Sequence, residues 1–217
     1  MEGFFMKKKV LLGLAIGMSL STVAFASPLQ DYDAGKAEVN VGTTLAPAMA
    51  SGSDNGETFK SDVKNKINGG ATVGLGRNLA LQFKYVDSQQ KPFGAELNMR
   101  TQEYNLRYKV DKNVSVYAGE MHARAGLKYA SMDTSTTRNI FQAGVQYEAP
   151  LSKNVTGWAG MGFGSNMQHY EAGIGYGLTE NLDLDLSYQY TQVKNFGGDN
   201  GLNITAKGLY AGLSFKF

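Results

Sequence analysis

The sequence predicts an all-β fold, an antiparallel up-and-down transmembrane β-barrel of ten strands, and three observations carry that prediction. Apolar and polar residues alternate with period two in one segment after another. A short polar turn with asparagine at its last position recurs four times. Aromatic residues gather at both ends of the apolar faces, with aliphatic residues between them. If the first hairpin is miscounted, the same pattern gives eight strands.

Side chains of a strand point to opposite faces in turn, so alternation sorts residues into two walls. In one segment Leu182, Leu184, Leu186, Tyr188 and Tyr190 share a face, and Asp183, Asp185, Ser187 and Gln189 share the other. Leu79 to Tyr85 and Phe141 to Glu148 split in the same way, and Tyr104 to Val110 puts Asn105, Arg107 and Lys109 on its polar side.

The repeated turns are Gly76-Arg77-Asn78-Leu79, Asp111-Lys112-Asn113-Val114, Ser152-Lys153-Asn154-Val155 and Thr179-Glu180-Asn181-Leu182. Asparagine tolerates the left-handed conformation of tight hairpin turns. Longer connections are expected at 46–67, 87–101, about 124–138, 164–168 and 192–203. The strands between fall near 35–45, 68–76, 79–86, 102–110, 114–123, 138–149, 155–163, 168–178, 182–191 and 204–217. Short turns on one rim, longer loops on the other and an even strand number are the plan of bacterial membrane barrels, with both termini on the periplasmic side. In two strands the apolar face changes parity: after Ala118, and between Ala206 and Leu209. A β-bulge is expected at each.

On the apolar face Tyr85, Phe141, Phe163, Tyr170, Tyr188 and Tyr190 then fall near the loop rim, and Tyr108, Tyr147, Tyr176, Phe215 and Phe217 near the turn rim. Two aromatic girdles around an aliphatic band suit a lipid-facing wall. A soluble barrel would show the same alternation with the apolar side inward, and the girdles weigh against it.

Met6-Lys7-Lys8-Lys9, an apolar run from Val10 to Leu20 and Ala24-Phe25-Ala26 read as a secretory signal peptide, so residues 1–26 are set apart and 27–217 form the barrel. Without Glu2, Lys7, Lys8 and Lys9 the net charge falls from +2 to 0. A neutral chain has no electrostatic case for nucleic acid. There is no cysteine, hence no disulfide and no thiolate metal site. No nucleotide loop, metal-spaced cluster or serine-hydrolase elbow is present, and no cofactor is implied.

The chain ends Tyr210-Ala211-Gly212-Leu213-Ser214-Phe215-Lys216-Phe217. Tyr210, Gly212, Phe215 and Phe217 in this spacing resemble the β-signal of outer-membrane proteins. The stretch 27–217 resembles, by pattern, the small OmpA-like and opacity-protein-like barrels of the porin superfamily. The resemblance implies the outer membrane as location, outer-membrane lipid and the barrel-assembly machinery as partners, and no enzymatic role. The count of ten departs from the eight-stranded members.

The lumen is expected to hold Lys84, Arg107, Lys109, Glu148, Trp158, Asp183 and Asp185. Charges of both signs can pair across a small barrel and fill it. Gly160, Gly162, Gly164, Gly173, Gly175 and Gly177 face the same lumen from adjacent strands. They either line a water-filled slot or admit bulky side chains such as Arg107 or Trp158. His122, beside Glu120 and Arg124, is expected inside, and His169 near Glu171 at the loop rim. Asp183 and Asp185 resemble an omptin aspartate pair but lie at the wrong rim. In loop 87–101, Phe93, Leu97 and Met99 are candidate contact residues. Three functions stay open: a filled structural or surface-interaction barrel, a narrow pore for small solutes, and a rim enzyme.

Replacing Phe215 or Phe217 with a polar residue is expected to reduce assembly and leave protease-sensitive periplasmic protein. Insertion of both variants at the wild-type level, scored by membrane fractionation, would remove the assembly role from this strand.

Overall fold

The computed structural model describes residues 27–45, 48–54, 57–63, 68–90, 96–129, 132–196 and 202–217. The proposed signal peptide lies outside them, as does Phe93, and the side chains of Leu97 and Met99 are likewise not described. Among the described residues all regular structure is strand: β1 (Ala37–Thr44), β2 (Ala48–Asp54), β3 (Glu57–Val63), β4 (Asn68–Gly76), β5 (Leu79–Gln90), β6 (Glu96–Asp111), β7 (Val114–Tyr129), β8 (Met132–Ser152), β9 (Val155–Gly164), β10 (Met167–Gly177), β11 (Leu182–Phe196) and β12 (Leu202–Lys216).

Ten of these close a ring. Neighbours β4 to β12 pair antiparallel in chain order, β1 pairs with β4, and β1 also pairs with β12, Glu38 opposite Lys216 through Thr44 opposite Tyr210. Closure leaves the ten-strand ring with no open edge strand, which is what a barrel in lipid needs. The remaining two strands extend the first connection. Where β1 stops, β2 takes over the same edge of β12, Met49 to Ser53 opposite Lys207 to Asn203, and β3 folds back on β2.

The recurrent asparagine turns have a common backbone role. The carbonyls of Asn78, Asn113, Asn154 and Asn181 accept hydrogen bonds of 2.8–2.9 Å from the amides of Lys109, Glu148, Gly177 and Lys216. Each turn is thereby tied to the strand that follows its own hairpin. The left-handed expectation holds at one of the four: Arg77 and Asn78 have φ of 54° and 64°, a primed two-residue turn, whereas Asn113, Asn154 and Asn181 are not left-handed. Two of these have further bonds: Asn113 N donates to Asp111 Oδ1 at 3.4 Å, and Asn181 Nδ2 donates to the Lys216 carbonyl at 2.8 Å.

Two expectations change. The long loops are mostly ladder: β5 and β6 stay paired to Gln90 and Leu97, and β7 and β8 to Tyr129 and Met132. The strand β8 has 21 residues, and β6 and β7 have 16 each. Crossing a membrane takes about 9–11 residues per strand. The surplus forms a β-extension at the rim away from the short turns.

The two predicted bulges are absent as well. Pairing of β7 with β6 and β8 runs unshifted from Val116 to Ala123, and β12 stays in register with β11 from Ala206 to Leu209. Register shifts fall instead at Gly74/Gly76, Lys109/Asp111, Pro150/Ser152 and Val193/Phe196. Parity in β7 is therefore kept, and its apolar residues change sides relative to the strand's own lower half. Val116 is outward, while Met121 and Ala123 are inward and buried.

A wall residue and a turn residue separate the two environments. Leu184 faces outward within the apolar band. Leu184→Arg is expected to cost about 2–4 kcal/mol in a urea refolding titration in lipid vesicles. Lys112→Glu, in an exposed turn, is expected to stay within about 0.5 kcal/mol. Equal losses would contradict the outward assignment.

Candidate functional site

Among the described residues, polar side chains from most strands converge in the lumen, and it is layered. At the turn rim the segment before β1 folds into the barrel mouth. Leu29 and Tyr32 pack with Ala80, and the carbonyls of Tyr32 and Lys36 accept the amides of Gly76 and Gly74, each at 2.8 Å. Gly74 is required there, because a Cβ would overlap the Tyr32–Asp33 backbone. Gln30 donates to Thr156 Oγ1 at 3.3 Å, its carbonyl accepts Lys109 Nζ, and Ser27 N donates to Asp185 Oδ1 at 2.8 Å. The Lys109 ammonium also lies 5.2 Å from the centre of the Tyr32 ring.

The middle layer is a hydrogen-bonded mesh. Arg107, 3% exposed, donates to Ser115 Oγ at 2.8 Å and to Gln146 Oε1, and lies 6.0 Å from the centre of the Tyr117 ring. Gln146 passes the chain on to Glu171 at 3.2 Å. Lys84 pairs with Glu103 at 3.7 Å, and Gln142 donates to Glu103 at 3.2 Å and to Asn105 at 3.0 Å. Lys109 pairs with Glu148 at 3.1 Å, Lys216 with Asp183 at 2.5 Å, and Ser214 Oγ donates to Asp185 at 2.5 Å. A buried charge is tolerable when it is paired and hydrogen-bonded. Burying these groups therefore ties adjacent and next-but-one strands together from inside.

The inward glycines receive side chains. A Cβ on Gly144 or Gly162 would overlap the Tyr117 ring or hydroxyl, and one on Gly173 would overlap the Trp158 indole. A Cβ on Gly160 would come to 3.2 Å of Glu171, and one on Gly175 to 2.8 Å of Ser27. The strip is packed by Tyr117 and Trp158, and Arg107 sits elsewhere.

Above the mesh the inward face becomes apolar. Val86, Met121, Ala123, Ile140, Met167 and Val193 are all buried, and Ile140 and Val193 have no exposure at all. Register links them: Met121 is opposite Ile140, Met167 is opposite Val193, and a Cβ on Gly164 would touch both Ile140 and Met167. At the same height the outward face turns polar, with Asp87, Arg100, Gln102, Glu120, His122, Arg124 and Asn139. Arg100 pairs with Asp87 there at 3.4 Å, and Lys128 with Asp133 at 3.2 Å. His122 is thus outward, 3.9 Å from Glu120, because the expected bulge that would have turned it inward does not exist.

The outward aromatics lie where these zones meet. Phe83 stacks on Tyr104 at 5.2 Å, and Tyr170 meets Phe163 and Tyr190 at 6.1 Å each. Tyr85, Phe141 and Tyr188 lie on the same outward face. Near the turn rim Tyr108, Tyr147, Tyr176, Phe215 and Phe217 face outward, and Phe215 lies 4.8 Å from Phe217. In the last strand Tyr210 points inward and is buried, Gly212 faces the lumen beside β1, and Phe215 is outward.

His169 lies inward on β10, with Nδ1 2.7 Å from Thr191 Oγ1 and Nε2 3.5 Å from Glu171. Thr191 is 3% exposed and sits beneath Met167 and Val193. Among the described residues no group of His, Asp and Glu could hold a metal ion. Sequence reasoning missed Tyr117, the apolar collar and the mouth segment. Unbroken parity from Ser115 would have found the first two.

A closed antiparallel ring, apolar outside and cross-linked by ions inside, defines an integral β-barrel of the outer membrane. The model of the outer membrane protein beta-barrel domain family matches residues 13–217, and the chain belongs to that family. Among solved structures it is similar to Ail, the attachment invasion locus protein of Yersinia pestis, with 12% identity, 85% of this chain and 99% of that one covered, and a TM-score of 0.45. It is also similar to Neisserial surface protein A (19%, 84% and 99% covered, TM-score 0.47) and to the outer membrane protease OmpT from Escherichia coli (11%, 92% and 100% covered, TM-score 0.49). No curated protein sequence gives a significant match.

The glycine packing is testable by a double variant. Gly162→Ala is expected to destabilise by about 1–3 kcal/mol, as overpacking does. In a Tyr117→Phe background most of that cost should vanish, since the hydroxyl is the atom in the way. An unchanged cost in the double variant, measured by urea unfolding, would place the strain elsewhere.

Proposed function

We propose that this outer-membrane barrel is a sealed scaffold whose work is done by the β-extension it displays outside the cell. The short turns and both termini of the barrel face the periplasm, and the long hairpins face outward. The observation that carries this reading is the layered lumen: a mouth segment, an ion-paired mesh and an apolar collar in series. Water-filled channels need a continuous polar path, and the collar interrupts it with buried Val86, Met121, Ile140, Met167 and Val193.

The outer face of the extension supports a surface-interaction role. It carries exposed charge of both signs, including Arg100, Arg124, Lys128 and Asp133. Membrane lipid covers the aliphatic band and its aromatic rims. The barrel-assembly machinery reads β12 through Tyr210, Gly212, Phe215 and Phe217. A catalytic role has less support: the His169–Thr191–Glu171 cluster lies under the collar, and Asp183 and Asp185 are engaged with Lys216, Ser214 and Ser27.

Single-channel recording on the refolded protein tests the sealed reading. The wild type is expected to show no steady conductance. Removing residues 27–36 together with Arg107→Ala and Met167→Gly opens all three layers and is expected to give discrete ion steps. Large steady steps from the unmodified protein would replace the scaffold with a narrow porin.

A further inference from the structure

We propose that the lumen contains a docking site for the chain's own new N-terminus: cleavage after Ala26 leaves an α-ammonium on Ser27, and Asp185 receives it as a buried ion pair. Two independent lines meet at this atom. Ala24-Phe25-Ala26 has the small residues that end a secretory leader. The nitrogen of the next residue lies inside the barrel, 2.8 Å from Asp185 Oδ1.

The site is built for that group. Ser27 is fully buried, and its side chain is set against Gly175, where a Cβ would come within 2.8 Å of Ser27 Cβ. Lys216 Nζ donates to Ser27 Oγ at 3.5 Å. The second Asp185 oxygen is held by Ser214 at 2.5 Å, which leaves Oδ1 facing the nitrogen. The following residues fix the segment: Gln30 bridges Thr156 and Lys109, and Tyr32 caps Gly76.

Charge balance points the same way. The turn-side half of the lumen gathers four carboxylates, Glu38, Glu148, Asp183 and Asp185, against three cations, the ammonium groups of Lys109 and Lys216 and the buried guanidinium of Arg107, which leaves one acid in excess. A neutral peptide N–H at Ser27 offers Asp185 one hydrogen bond and no charge. An ammonium offers three donors and a positive charge where acids are in excess. Buried charge is costly unless paired, so processing supplies the missing partner.

The covalent step is hydrolysis by the leader peptidase. Water's hydroxyl goes to the Ala26 carbonyl carbon, the C–N bond breaks, and the hydrogen goes to the Ser27 nitrogen. At neutral pH the Ala26 acid loses a proton and the amine gains one. The docked terminus then anchors the mouth segment from inside, so that sealing of the periplasmic mouth follows export and maturation. The inference stands apart from conductance, because an ion pair at Asp185 is compatible with either an open or a closed upper lumen.

The test uses mature protein extracted from outer membranes. Its intact mass is expected to correspond to a chain beginning at Ser27, and any other first residue overturns the proposal. In the native protein the α-amine is expected to react with an amine-selective acylating reagent about tenfold more slowly than in Asp185→Asn, the worth of one charge-assisted bond. Equal rates overturn it. A chain extended by one residue, with Ala26 retained, leaves Asp185 untouched and keeps the test open if Asp185→Asn does not assemble. Its amine should label at the rate seen in urea, and its unfolding midpoint should fall. If the extended chain is as protected and as stable as the mature one, Asp185 is not the receptor of the terminus.

Discussion

A closed β-ring allows each side chain only two directions, and the pleat assigns them without exception as long as the register does not slip. In this barrel the ladder runs unbroken through the central strands, so direction is fixed by parity alone. What changes along the strand is the surroundings. In the turn-side half, polar residues point in and apolar residues point out. Above the outward aromatics the sense reverses: Met121, Ile140 and Val193 point in, and Glu120, His122 and Arg124 point out. One strand serves two solvents, lipid below and water above, and the inversion marks the border between them.

The lower half has a polar interior of buried charged and amide side chains. Acids and bases pair between strands, as in Lys84–Glu103, Lys109–Glu148 and Lys216–Asp183. Removing one member of such a pair leaves the other buried and unpaired, which costs more than the pair contributes. The upper half needs no such pairing. It is held by an apolar core, as a soluble barrel is, and can therefore project past the membrane on strands as long as the 21 residues of β8.

The two halves also divide the functional roles. The ion-paired half has the mouth segment Ser27 to Lys36 folded into it and joins its strands from inside. The half with the apolar collar presents a charged outer surface away from the membrane. Tyr117 and Trp158 pack against the glycine strip, where a Cβ on Gly144, Gly162 or Gly173 would overlap their side chains.

The sequence by itself determined the class, the strand number, the short asparagine turns and the partition of the lower walls. Each of these is local: period two in Leu182 to Tyr190, or a turn of the Asp111-Lys112-Asn113 kind, can be read within ten residues. It did not reveal the inversion, because a change of parity in a hydrophobic pattern looks the same whether the strand bulges or the solvent changes. Only pairing with β6 and β8 separates these, and it puts His122 outside. The long hairpins look like loops in the sequence for the same reason: Thr134 to Thr137 lie above the lipid, where neither face has to be apolar. The mouth segment was invisible because its partners, Asp185, Thr156 and Lys109, are remote in the chain and meet Ser27 and Gln30 only once the ring has closed.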